Sequence, residues 1–93
     1  MRIIGYIDHA YLKITVFKMD DKVSIKLESG MYEQIYKFRS GEGVETMEDA
    51  RNFVTPAFIT QVEEILATMH RARLAGLVSL NPLSEEDFFD EII

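Results

Sequence analysis

Residues 12–38 read LKITVFKMDDKVSIKLESGMYEQIYKF, and this stretch decides the fold. Apolar and polar residues alternate along it in three runs, separated by Asp20-Asp21 and Ser29-Gly30. A period of two is the mark of a strand with one buried face, and both dipeptides suit tight hairpin loops. With Asp20-Asp21 as a loop, Lys18 faces Val23, Val16 faces Ile25 and Ile14 faces Leu27. With Ser29-Gly30 as a loop, Leu27 faces Tyr32, Ile25 faces Gln34 and Val23 faces Tyr36. Both registers put Leu12, Ile14, Val16, Val23, Ile25, Leu27, Tyr32, Tyr36 and Phe38 on one side, and a one-residue slip would scramble that set. On the other side Lys13 faces Glu28 and Lys26 faces Glu33, opposite-charge pairs of about 0.2–1 kcal/mol each. The expectation is an antiparallel meander.

Upstream, residues 2–7 pair with the first run if Asp8-His9 is a turn. Ile7 then faces Ala10, Gly5 faces Leu12 and Ile3 faces Ile14, which puts Ile3 and Ile7 on the apolar side. The alternative is one long bent strand from Ile3 to Lys18. The sheet therefore has three or four strands within residues 2–39.

Downstream the period changes from two to that of a helix. Arg39-Ser40-Gly41-Glu42-Gly43 is a connecting loop that lacks the Gly-Lys-Ser/Thr of a phosphate-binding loop. Thr46 and Asp49 have the spacing of a capping box, which predicts a short helix over 47–53. Thr55-Pro56 starts a second helix, since threonine caps and proline suits the first turn. Phe58, Ile59, Val62, Ile65, Leu66, Met69 and Ala72 fall on one face of it, and Gly76 reads as its stop, so this long helix is expected over 56–75. Ser84 and Asp87 predict a last short helix over 85–91. The fold class is α+β: a meander with the long helix packed on one face, plus two short helices, in a single domain over residues 1–93.

Composition narrows the function classes. The chain has 93 residues, no cysteine and a net charge of −6. Without cysteine there are no disulfides, no thiol catalysis and no zinc–thiolate site. No apolar run reaches the ~18 residues that a membrane span needs. The N-terminal stretch lacks a secretory pattern, so a cytoplasmic location is expected. Residues 1–39 hold seven Lys/Arg against five Asp/Glu, and residues 40–93 hold three against eleven. The sheet half is mildly basic and the helical half strongly acidic, a balance that repels nucleic acid unless the sheet acts locally.

The two histidines are His9 and His70. His9 is a turn residue, or else a ligand or base beside Asp8. His70 lies on the same edge of the long helix as Glu63, a pairing that would bind a metal or move a proton if both side chains met in a pocket. Glu63-Glu64 otherwise reads as a solvated pair, and Glu85-Glu86-Asp87 as charge suited to a helix N-terminus. No nucleophile has a base and orienter in view, and no cofactor is implied.

The outer face of the sheet carries Ile4, Tyr6, Tyr11, Lys13, Thr15, Phe17, Lys26, Met31, Ile35 and Lys37, with Glu28 and Glu33 among them. Rings beside lysines suit single-stranded nucleic acid. A broad apolar patch on an exposed face equally marks a protein contact. In outline, a four-strand meander followed by a long helix is similar to the whirly-type single-stranded DNA binders, a likeness of architecture that carries over no residue and claims no family. The favoured expectation is a non-enzymatic interaction module, a homodimer or the partner of another protein. It joins through Tyr6, Tyr11, Lys13, Phe17, Lys26, Ile35 and Lys37, or through Phe88, Phe89 and Ile92 near the C-terminus. Single-strand binding is the first alternative, and a small enzyme or metal protein using His70 and Glu63 the second.

Overall fold

The structure is a computed structural model that describes residues 1–80. Four strands, β1 (Arg2–Ile7), β2 (Lys13–Met19), β3 (Lys22–Ser29) and β4 (Tyr32–Lys37), form one antiparallel sheet in the order β1-β2-β3-β4. Two helices follow, α1 (Met47–Phe53) and α2 (Pro56–Leu80). The helix expected over 85–91, and with it Phe88, Phe89 and Ile92, lies outside the described residues. Among the described residues, no helix is long and apolar enough to cross a membrane.

The β2–β3 register is the expected one, with Lys18 opposite Val23, Val16 opposite Ile25 and Ile14 opposite Leu27. The β3–β4 register differs by two residues. Leu27 faces Gln34, Ile25 faces Tyr36 and Lys26 faces Ile35, so the loop is Gly30-Met31 rather than Ser29-Gly30. The cause is backbone chirality. Each hairpin needs a positive φ at its first loop position, met by Asp20 at 56° and by Gly30 at 58°. A shift of two leaves every side chain on its face. The pair Lys26/Glu33 is lost, however, and Glu28 stands opposite Glu33. Lys26 answers that repulsion from its own strand, with Nζ 3.3 Å from Glu28 Oε1.

β1 departs further. Ile7 faces Ile14 and Gly5 faces Val16, then a bulge between Ile3 and Gly5 sets Ile3 opposite Phe17. The extra residue changes the facing, so Ile4 packs against the core and Ile3 is exposed. Gly5 sits beneath α1, where a Cβ would lie 2.6 Å from Met47 Sδ. Only glycine admits that approach without moving the methionine.

The inner face of the sheet is the core. Leu12, Ile14, Val16, Val23, Ile25 and Leu27 are buried there with Val44, Ala50, Ile59 and Val62. A chain of edge-to-face rings joins β4 to both helices: Phe38 to Phe53 at 4.8 Å, Phe53 to Phe58 at 4.8 Å, and Phe58 to Tyr36 at 5.2 Å between centroids. Such pairs contribute about 0.5–1.5 kcal/mol each beyond their buried area. The capping box of α1 is present, with Asp49 N–H donating to Thr46 Oγ1 and Asp49 Oδ2 accepting from Thr46 N–H. Thr55 Oγ1 caps α2 by accepting from Phe58 N–H at 3.1 Å.

Helix α2 does not stop near residue 75 but runs on through Gly76 to Leu80. Gly76 keeps an ordinary φ, and a mid-helix glycine costs only about 1 kcal/mol against alanine. Phe58 meets Tyr36, Val62 meets Gln34 and His70 meets Tyr32, so α2 climbs β4 from its end to its start. Residues 71–80 therefore extend past the sheet, and Ile65 and Ala72 of the expected stripe are exposed.

Candidate functional site

Two places gather side chains with chemistry. The first is a small cavity of about 280 Å³ under the β1–β2 loop, lined by Asp8, His9, Glu63 and apolar neighbours including Ile7 and Ile59. Two of its polar side chains, His9 and Glu63, are already engaged. His9 Nδ1 accepts from Leu12 N–H at 3.2 Å and from Tyr11 N–H at 3.4 Å, so the imidazole ties down the loop. The Glu63 carboxylate accepts from the Tyr11 hydroxyl. That hydrogen bond, with partial loss of water and the charge of Glu63, raises Tyr11 above the ordinary phenol range.

The His70–Glu63 pairing of the second alternative does not form. His70 Nδ1 and the Tyr32 hydroxyl share a hydrogen bond of 2.8 Å, with the rings edge-on. Glu63 lies two turns earlier and faces Tyr11. Both groups join α2 to the sheet half. Among the described residues, no three His, Asp or Glu are placed to hold a metal ion. Tyr11 is likewise corrected. Five residues separate β1 from β2, not two, and the longer loop folds Tyr11 over the helix side instead of the outer face.

The second place is the outer face itself. Phe17, Lys26, Ile35 and Lys37 come together there and line a concave groove of about 700 Å³ across β2, β3 and β4. Met19, Lys22 and Ser24 also line it, with Met1, Phe38 and Arg39 at the rim and Glu33 as the single carboxylate. Met19, Lys22 and Ser24 continue the alternation that marks Phe17 and Lys26, so the period of two already contained them. Arg39 and Met1 come from chain ends of the strands and carry no such signal.

The groove has an apolar floor and a basic rim. Ile35 is 49 % exposed and Met19 56 % exposed, although both are large and apolar. Lys26 Nζ lies 5.3 Å from the centre of the Phe17 ring while it pairs with Glu28. Four cations, Lys22, Lys26, Lys37 and Arg39, stand against one anion in a chain of net charge −6. Tyr6 is exposed on the same face but outside the groove, and Lys13 pairs across to Glu28 in register. Thr15, between Tyr6 and Lys26 in register, is buried, and its hydroxyl has no partner among the described residues. The chain matches no family model, and no curated protein or solved structure is significantly similar to it.

Proposed function

We propose that the protein is a non-enzymatic interaction module that self-associates through the outer face of its sheet. The observation behind this reading is the groove, in which exposed Ile35 and Met19 and half-buried Phe17 stand among four cations. Large exposed apolar side chains gathered on one face lose unfavourable contact with water when a second surface covers them. In the β1–β2 cavity, by contrast, His9 Nδ1 and the Glu63 carboxylate already hold loop and helix in place. Amide resonances recorded on dilution from millimolar to low micromolar protein test this reading. Self-association through the groove moves the signals of Phe17, Ser24, Ile35 and Lys37 and leaves those of buried Val23 and Leu27 in place. A spectrum that does not change on dilution, from a protein with the mass of a single chain throughout, would overturn it.

The same basic rim supports a second reading, a single-stranded nucleic-acid platform with Phe17 as the stacking ring and Lys22, Lys37 and Arg39 along the phosphates. It predicts retention of a labelled oligothymidylate at low salt and its loss as salt rises. No retention at low salt removes this reading.

A further inference from the structure

We infer that the outer groove is filled by the acidic end of a second copy of this chain, residues 84–93. This deepens the proposed function and rests on it. From Ser84 the sequence is SEEDFFDEII, with five carboxylates, four large apolar residues and no Lys or Arg. The groove offers the complement in both respects. Phe17 and Ile35 supply an apolar floor for phenylalanine and isoleucine, and Lys22, Lys37 and Arg39 face the carboxylates. Among the described residues these three cations enter no ion pair, whereas Lys26 is committed to Glu28.

Reach selects a second copy over the chain's own end. Helix α2 climbs the inner face of β4 to Tyr32, and residues 71–80 carry it about 15 Å beyond. The groove lies on the opposite face and runs along β4 from Glu33, and its cations Lys22, Lys37 and Arg39 stand at the end away from Tyr32. The path back from Leu80 to those cations is on the order of 45 Å along the helix, along the strand and across the sheet. Glu85, Glu86 and Asp87 are five to seven residues past Leu80 and reach at most ~25 Å, short of those cations. A partner aligned in the opposite sense brings its end to the groove at once, and the exchange is reciprocal, so a two-fold dimer closes without leaving a groove open. Nucleic acid would also answer the cations, but Glu33 inside the groove and the net charge of −6 oppose it.

A charge exchange in the full chain tests the inference. One variant reverses the groove, Lys37→Glu with Arg39→Glu. The other reverses the end, Glu85→Lys with Glu86→Lys and Asp87→Lys, which leaves two carboxylates against three lysines. Each alone presents like charges to itself, and its dimerisation constant should weaken at least tenfold by sedimentation. Mixed in equal amounts they should restore the dimer, because each end then meets a groove of opposite sign. An end-reversed variant that dimerises as well as the unmodified chain overturns the inference, and if the groove-reversed variant is still monomeric the groove remains the interface. If both variants keep the unmodified dimer, the inference and the proposed function fall together. Oligothymidylate retained by the end-reversed variant and lost by the groove-reversed one, with no rescue on mixing, assigns the groove to single strands instead and overturns the inference.

Discussion

Gln34 on β4 donates its side-chain N–H to the main-chain carbonyl of Val62 in α2, 3.0 Å away in a buried setting. The Tyr36 hydroxyl in turn donates to Gln34 Oε1 at 2.6 Å. This is a buried polar pin between sheet and helix, set among the apolar side chains of the core. Gln34→Leu removes the acceptor of a half-buried hydroxyl, and about 1–3 kcal/mol of stability should go with it. The double variant Gln34→Leu with Tyr36→Phe should recover part of that loss, since no polar group is then stranded. Urea unfolding of the four proteins of this cycle measures both effects.

The capping box makes the start of α1 sensitive to acid. Asp49 accepts from the N–H groups of Glu45 at 3.0 Å and Thr46 at 3.1 Å. These bonds, led by the one from Glu45 and joined by that with the Thr46 side chain, hold its carboxyl below the usual range. A carboxyl lowered in the folded state stabilises the fold above its ordinary pKa, and that contribution goes as pH falls through the lowered value. Thermal unfolding from neutral to acid pH should therefore be less pH-dependent in Asp49→Asn. Thr46→Ala should cost about 1 kcal/mol.

Gly76 discriminates between two endings for α2. At a left-handed cap, alanine would be strained and would destabilise the protein. Here Gly76 lies within the helix, without positive φ, and a Cβ on it meets nothing within 4 Å. Gly76→Ala should thus raise stability by about 0.5–1 kcal/mol in thermal or urea unfolding.

Tyr11 should be a late-titrating phenol, because Glu63 favours its protonated form. The sign follows: this contact contributes below the ordinary phenol pKa and is lost as pH rises through the raised one. Absorbance titration of Glu63→Gln should show one tyrosine ionising earlier than in the unmodified chain. An unchanged curve would mean that the Tyr11–Glu63 contact is not held in solution.

The parts of the fold that were legible in the sequence are those where an error does no harm. Asp20-Asp21 marks its loop correctly because Asp20 takes the positive φ. The Gly30 loop slips by two residues, yet an even slip preserves both faces, so the set from Leu12 to Leu27 stays in the core. The bulge at Ile4 is an odd change and exchanges Ile3 with Ile4. No local periodicity announces it, because it answers to the Gly5–Met47 approach made by a helix forty residues away. The end of α2 was hidden for a similar reason: the penalty of one glycine is small against the formers on either side. Of the outer surface, alternation identified Phe17, Lys26, Ile35 and Lys37, but Met1 and Arg39 join the groove from outside the strands, and loop length takes Tyr11 away from it.

Light scattering of the unmodified chain over a range of protein and salt concentrations tests the central claim, that the outer groove is a surface of self-association. The account predicts a mass near twice 10.7 kDa at high micromolar protein. Rising salt should weaken that dimer as it screens the basic rim. A constant mass of 10.7 kDa at every concentration and salt would contradict it.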